Sequence, residues 1–421
     1  MNSALGAILG LAVAIVLIIR RFSPVYSLLV GAVVGGLLGG MGLEATVANM
    51  ISGVKDITPA IIRIIAAGVL SGVLIKTGAA ASISNTIVNR LGQRHIFLAL
   101  ALSAMLLTAV GVFVDVAVIT VAPIAIIIAE RMGISRMKML LAMVGGGKCG
   151  NIISPNPNTI IAAENFDAPL SSVMLAGVVP AVVGLLIVVY LIVPLLPTYA
   201  KGVTAPQKGN TGSFAQEGDL PSFAASMVAP LTVIVLLMLR PVASIAIDPL
   251  IALPIGGVAG IVATRRWRDA SQSVSYGLEK MSVVAVLLVS TGAIAGIVKA
   301  STLTDMLLSM LGQGEASQLL LAPLSSIVMS AATASTTAGA TIASASFAPT
   351  ILAAGLQAVW GAALVNVGAT VLDHLPHGSF FHATSGSMEL SMKEGLRLIP
   401  YMTLIGLTLT VLMLGAYFVL A

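Results

Sequence analysis

Apolar runs long enough to cross a lipid hydrocarbon core, about 17–25 residues for roughly 30 Å, recur from Ala4 to the last residue, and polar positions collect at their ends. This pattern predicts a polytopic all-α membrane protein with no sizeable soluble domain. The first run, 4–19, lacks a basic leading segment and a small-residue cleavage pattern, and Arg20 and Arg21 follow it. It therefore reads as a first span that starts outside rather than as a secretion signal. The one extended polar stretch rich in Gly and Pro is 198–222, which marks a linker between an N-terminal repeat, 1–197, and a C-terminal repeat, 223–421.

The two repeats are suggested by self-similarity at a shift of about 220–226 positions. Pro24, Gly31 and Gly35 fall on Pro249, Gly256 and Gly260, and Gly68 and Gly72 fall on Gly292 and Gly296. Leu91-Gly92-Gln93 matches Leu311-Gly312-Gln313, and Pro123, Pro155 and Pro180 match Pro349, Pro376 and Pro400. Basic residues mark loops at opposite ends of the equivalent runs. Arg90, Arg94, Arg131, Arg136 and Lys138 have no basic counterparts in 301–317 or 351–359, whereas Arg265, Arg266, Arg268, Lys393 and Arg397 stand where the first half has none. If basic loops are cytoplasmic, the halves have opposite topology. The expectation is two inverted repeats, each with about five transmembrane helices, one apolar hairpin (95–130 and 317–352) that is either re-entrant or fully spanning, and one discontinuous helix. The N-terminus is then outside and the linker cytoplasmic.

Composition narrows the class. Hydrophobic residues make up 58% of the 421 positions and charged residues 9%, with a mean hydropathy of +1.07, against about a quarter charged in soluble domains. A water-soluble fold is excluded. The net charge of +5 comes from residues scattered among span ends, so it reports orientation and not nucleic-acid binding. The single cysteine, Cys149, rules out an intrachain disulfide.

Polar groups at membrane depth are tolerated where they line a cavity or find partners, so interrupted apolar runs are the candidate sites. The longest is Gly145-Gly146-Gly147-Lys148-Cys149-Gly150-Asn151-Ile152-Ile153-Ser154-Pro155-Asn156-Pro157-Asn158-Thr159. Its glycines are expected to loosen one half-helix, its prolines forbid continuous helical bonding, and Asn158-Thr159 can start a second half-helix whose free N–H groups attract an anion. Lys148 adds a full positive charge. A plain surface loop is the bland alternative, and a Walker-type phosphate loop fails because Cys149 follows the lysine and Ala142 stands at the first glycine position.

The equivalent break is Asp373-His374-Leu375-Pro376-His377-Gly378-Ser379-Phe380-Phe381-His382, with three of the four histidines beside a carboxylate. Histidine titrates near physiological pH, so a proton relay is natural there. A metal site from Asp373, His374, His377 and His382 is the rival reading, although the spacing matches no common zinc pattern, and a structural turn is the bland one. Asp115, between apolar runs, is either a proton carrier or cation ligand or a partner for Lys148. In Thr333-Ala334-Ser335-Thr336-Thr337 the hydroxyls suit a hydroxylated substrate or tight helix packing. Arg63, Lys76 and Lys299 are expected near span ends with their charges reaching water.

At these two breaks the chain resembles the gluconate permease (GntP) family of proton-coupled symporters, within the wider ion-transporter group. Gly145 to Lys148, Ser154 to Thr159 with Ala162-Ala163-Glu164, and Leu372 to His382 carry the likeness, and Cys149 departs from the small residue expected there. The resemblance implies proton-driven uptake of gluconate or a related sugar acid or hydroxy acid across the bacterial inner membrane. By analogy with the wider group, it also implies a homodimer in which a substrate domain moves against a static scaffold.

The working expectation is a symporter and not an enzyme, with no cofactor, the proton as coupling ion, sodium still open, and a small anion and the lipid bilayer as partners. Lys148 and the turn at Asn158-Thr159 would hold the carboxylate. Ser154, Asn156, Ser335, Thr336 and Ser379 would hold hydroxyls, with Asn151 and His377 also facing the substrate. Asp115, Asp373, His374 or His377 would carry the proton. A symporter for D-serine or a short hydroxy acid such as hydroxybutyrate, an anion channel and an intramembrane metalloenzyme are the alternatives.

Overall fold

The computed structural model describes residues 2–197, 220–303, 305–306, 315–376 and 378–421, and the regular elements within them are helical. Most of the predicted linker, and His377, therefore lie outside the described residues. Among the described residues, five helical stretches are long and apolar enough to span a membrane: Leu43–Lys76, Leu170–Leu195, Phe223–Ala243, Trp267–Lys299 and Met392–Leu420. Shorter apolar helices pack among them, as the sequence pattern predicts for a polytopic membrane protein.

In chain order the first half contains α1 (Asn2–Ile19), α2 (Pro24–Leu38), α3 (Leu43–Lys76), α4 (Ala79–Leu91), α5 (Ile96–Ala109), α6 (Val114–Met132), α7 (Arg136–Asn151), α8 (Pro157–Asn165), α9 (Leu170–Ala176) and α10 (Val178–Ile187). The second contains α11 (Phe223–Ala243), α12 (Pro249–Thr264), α13 (Ala270–Lys299), α14 (Glu315–Thr333), α15 (Thr336–Ala353), α16 (Ala358–Gly368), α17 (Ser379–Ser387) and α18 (Met392–Leu420).

The most extensive helix contact is between α3 and α13, and glycine makes it possible. A Cβ on Gly53 would collide with the Gly292 carbonyl, one on Gly68 or Gly277 with the other's helix, one on Gly72 with Ser273 and one on Gly296 with Asn49. The two backbones are thus in direct contact, and the helices run antiparallel, since the partner's number falls as that on α3 rises. The glycines first noticed as a sequence repeat are a packing seam. Gly31 and Gly35 play the same part against Gly10 and Gly6 of α1, while Gly256 and Gly260 meet α11 at Val233 and Ala229.

The two predicted discontinuous helices are α7–α8 and α16–α17, broken at 152–156 and 369–378. The predicted cause needs one correction. The glycines of 145–147 do not loosen α7, which is helical from Arg136 through Asn151. They let it lie against neighbours: a Cβ on Gly146 would strike the Ala101 carbonyl of α5, and one on Gly145 would strike Val188. The Thr108 hydroxyl donates to the Gly147 carbonyl at 2.9 Å, so the tip of the α5–α6 hairpin reaches the level of the first break. The α14–α15 hairpin turns at Ala334, where φ is +47°, and its tip also meets the breaks. With 14 residues, α5 is about 21 Å long, too short for a bilayer core of roughly 30 Å.

Candidate functional site

The break after α7 arises from local sequence. Pro155 and Pro157 lack the N–H that a continuous helix needs, and Pro157 is instead accommodated in the first turn of α8, where that N–H has no helical partner anyway. Asn156 caps α8: its Oδ1 accepts from Thr159 N at 3.0 Å and from Thr159 Oγ1 at 3.2 Å. The half-helix therefore starts at Pro157, slightly before the expected Asn158-Thr159 start.

Lys148 lies in the last turn of α7, where its charge complements the helix C-terminus. The structure brings it against the other break. Nζ donates to Asp373 Oδ1 at 2.8 Å, to the Thr370 carbonyl, and lies 3.2 Å from His374 Nδ1. On the other side of the imidazole, Nε2 lies 3.1 Å from the Ile399 carbonyl and 3.1 Å from Thr403 Oγ1. A carbonyl only accepts, so Nε2 carries the proton and Nδ1 of the neutral ring accepts from Lys148. An ammonium has three N–H groups, and all three of Lys148 are engaged. The lysine side chain is 1% exposed and that of Asp373 3%. The second Asp373 oxygen accepts from Thr336 Oγ1 at 2.6 Å, so hairpin tip, α7 and the second break meet at one buried carboxylate.

A second polar set continues from the first. Asn156 Nδ2 donates to Asn151 Oδ1 at 2.6 Å and Asn158 Nδ2 reaches the same oxygen at 3.3 Å. Asn158 Oδ1 accepts from Thr337 Oγ1 at 2.6 Å, and Asn366 Nδ2 on α16 donates to Thr159 Oγ1 at 3.1 Å. Three buried polar atoms here have no protein partner: Asn151 Nδ2, Ser154 Oγ and Asn366 Oδ1. Buried polar groups are nearly always satisfied, so such orphans mark places for a bound solute or water. The helix N-termini at Pro157 and Thr336 open onto this region, each with the partial positive charge of unpaired N–H groups.

Several expected residues stand apart. Asp115 does not pair with Lys148, which Asp373 already holds; Asp115 Oδ1 accepts from Val116 N at 2.9 Å in the first turn of α6. Ser335 caps α15 by accepting from Ala338 N at 3.3 Å. Ser379 and His382 are exposed, and His382 Nε2 lies 2.9 Å from the Pro376 carbonyl. His377 lies outside the described residues. Among the described residues no three His, Cys, Asp or Glu side chains converge as metal ligands.

Sequence reasoning placed Thr337 only within a run of hydroxyls and missed Asn366, the two residues that complete the polar set, and it misjudged Arg63. That residue lies within α3 and not at a span end, and it is held by two carboxylates. Its Nη1 pairs with Glu164 at the end of α8, and Nε and Nη2 hold Asp248 at 3.1 and 2.8 Å. Lys76 and Lys299 do end their helices as expected; the exposed Lys299 also pairs with Asp56 at 2.8 Å, and Lys76 Nζ sits 4.7 Å from the centre of the Tyr276 ring. Nothing in hydrophobic periodicity pairs residues that far apart in the chain; the only signal was Glu164 itself, a lone carboxylate inside the family-like string. Two cavities flank Glu164, one of about 360 Å³ reaching from Asp248 and Leu170 to Ile160, the other of about 320 Å³ between Gly53, Gly296 and Ser344.

Comparison with known proteins accords with this architecture. The sequence profile of the GntP family permeases matches residues 3–420. The chain is 51% identical to an uncharacterized transporter of Haemophilus influenzae over 97% of its own length and 96% of the relative's. It is 24% identical to a high-affinity gluconate transporter of Escherichia coli K12, with 93% of each chain covered. Among solved structures, the Alcanivorax borkumensis YdaH transporter shares the fold with a TM-score of 0.62 at 16% identity, covering 90% of this chain and 89% of that one. With a family match across essentially the whole chain and two broken helices meeting inside an apolar helical body, the protein belongs to the GntP permease family and is a membrane transporter, not an enzyme.

Proposed function

We propose that this transporter carries a small hydroxylated carboxylate, gluconate or a close relative, into the cell in symport with a proton. The observation that carries the reading is the buried assembly of Lys148, Asp373, His374 and Thr336 where the two broken helices meet the α14–α15 hairpin. A fixed positive charge, two helix N-termini and orphaned amide and hydroxyl groups suit a carboxylate with hydroxyls along its chain. The gluconate transporter relative points to the same substrate class.

The hydrogen-bond count supports the coupling. Lys148 has no donor to spare while His374 Nδ1 accepts from it. A proton placed on Nδ1 turns that atom into a donor, and Asp373 Oδ1 stands 3.0 Å away to receive it. Lys148 then has an unpaired N–H for the substrate carboxylate. In charge terms the lysine, aspartate and protonated histidine carry one net positive charge, which the substrate cancels, so one proton and one carboxylate enter as a neutral load.

Support for two inverted repeats comes from the α3–α13 seam. Gly53, Gly68 and Gly72 correspond to Gly277, Gly292 and Gly296 by one common shift in numbering, and the collisions map onto one another when the two helices are exchanged. Exchange of antiparallel helices is what a two-fold axis in the membrane plane produces. On this reading 1–197 and 223–421 are the repeats, each hairpin is re-entrant, the N-terminus is outside and the linker is cytoplasmic. The breaks, hairpin tips and α8 move together as an elevator within a homodimer in the inner membrane.

The test is uptake of labelled gluconate into proteoliposomes under an imposed pH gradient. Accumulation should stop when a protonophore collapses the gradient, and His374→Gln should still bind gluconate yet fail to accumulate it. Accumulation driven by sodium alone, or an unaltered pH response in His374→Gln, would overturn the coupling scheme.

A further inference from the structure

We propose that Arg63 is a positioning residue for transport: its ion pair with Glu164 latches the outer end of α8 to α3 and so keeps the cavity along α8 shut off from the substrate-binding turn at its other end. The inference rests on the reading of the breaks as the substrate site.

The geometry separates what is fixed from what can be released. Arg63 lies on α3 between Gly53 and Gly68, both locked against α13 by backbone contact. Asp248, the residue capping α12, takes Nε and Nη2 at 3.1 and 2.8 Å and also accepts from Leu250 N at 2.8 Å. The guanidinium plane is thereby set from one side, and Nη1 is left pointing at Glu164. Glu164 belongs to the last turn of α8, a helix of nine residues and so about 13 Å long. Its first turn holds Asn158 and Thr159. A rigid helix that short cannot shift at one end without moving the other.

Space for such a shift exists. Glu164 lines both flanking cavities, of about 360 and 320 Å³, so few packed atoms oppose displacement of this end of α8. The larger cavity extends to Ile160, next in sequence to Thr159. The tie from Asn165 Nδ2 to Ser344 Oγ at 2.8 Å fastens α8 to α15, which means that a released α8 travels with the hairpin and carries Thr337 along. The chemistry of the two ion pairs also differs. Lys148 and Asp373 are 1% and 3% exposed, whereas Arg63 and Glu164 are each 25% exposed. Water can replace a partner in the second pair at little cost, whereas separating the first strands a buried charge. The Arg63–Glu164 pair is therefore the releasable one.

The experiment uses the full-length transporter, purified in detergent, with Cys149→Ala and Ala163→Cys, and measures the rate at which a maleimide labels position 163 on the cavity wall. Arg63→Gln and Glu164→Gln should label about fivefold faster than the parent, the upper end of what loss of a partly exposed ion pair supplies. Arg63→Lys should return the rate toward the parental one. Asp248→Asn leaves the bond to α8 in place and should change the rate by less than about threefold, since that pair is partly exposed. Equal rates in the parent and both glutamine variants would overturn the latch. So would an Asp248→Asn rate as high as that of Glu164→Gln, because that is general loosening. Gluconate binding to the parent, followed by thermal shift, is read separately: its absence counts against the substrate assignment, while the labelling rates judge the latch.

Discussion

The Lys148–Asp373 pair offers a sharp energetic prediction. Both side chains are almost fully buried and 2.8 Å apart. Lys148→Met leaves the Asp373 carboxylate with only Thr336 and a neutral imidazole beside it, and Asp373→Asn leaves the ammonium without its counter-charge. Removing one partner of a buried pair costs about 3–5 kcal/mol, because the remaining charge cannot be rehydrated. Removing both charges together avoids that penalty and is often nearly neutral. The double variant Lys148→Met/Asp373→Asn should thus be more stable than the sum of the two single effects by at least about 3 kcal/mol, a double-mutant coupling near the top of the range for contacting residues. Chemical denaturation in mixed micelles, followed by tryptophan fluorescence, measures the cycle. Uptake should be lost in all three variants, since the carboxylate-binding charge is absent or misdirected in each. Two single variants each costing less than about 1 kcal/mol and adding without coupling would refute the buried pair. A double variant that both folds and transports would refute its part in transport.

Thr337→Val deletes the hydroxyl that donates to Asn158 at 2.6 Å; it should cost about 1–3 kcal/mol and raise the KM for uptake, measurable in proteoliposomes. Gly146→Ala pushes a methyl into the Ala101 carbonyl and should yield little folded protein by fluorescence-detected size exclusion. The control Gly415→Ala, with no neighbour within 4 Å, should be neutral or slightly stabilising, by up to about 1 kcal/mol in a helix interior. Cys149, in the last turn of α7, is fully buried, so a maleimide that fluoresces on reaction should label the native protein only as it unfolds; prompt labelling at low temperature would contradict the packing of α7.

Much of this architecture is written locally. Apolar runs, prolines and glycines act within a few residues of themselves, which is why the two breaks and the hairpins follow from the pattern alone. The same local signals misassigned the Gly145–Gly147 run, because a glycine that frees a backbone and one that admits a neighbour look alike until the neighbour is known; here the neighbour is α5. Partners far apart in sequence were least legible. The one partner the sequence suggested for Lys148 was Asp115, and the folded chain pairs it with Asp373 instead. Arg63 lies 101 residues from Glu164 and 185 from Asp248, and Asn366 lies 207 from Thr159. Hydrophobic periodicity fixes which face of a helix is buried but not which helix it is buried against.

The glycine seam between α3 and α13 limits how this protein can move. Where two helices touch through bare peptide groups there are few side chains to re-sort, which narrows the ways they can lie together. The pair forms a fulcrum. Neighbours such as α8 meet the pair through rotatable side chains, so on the elevator reading proposed above it is they, and not the crossing, that would move.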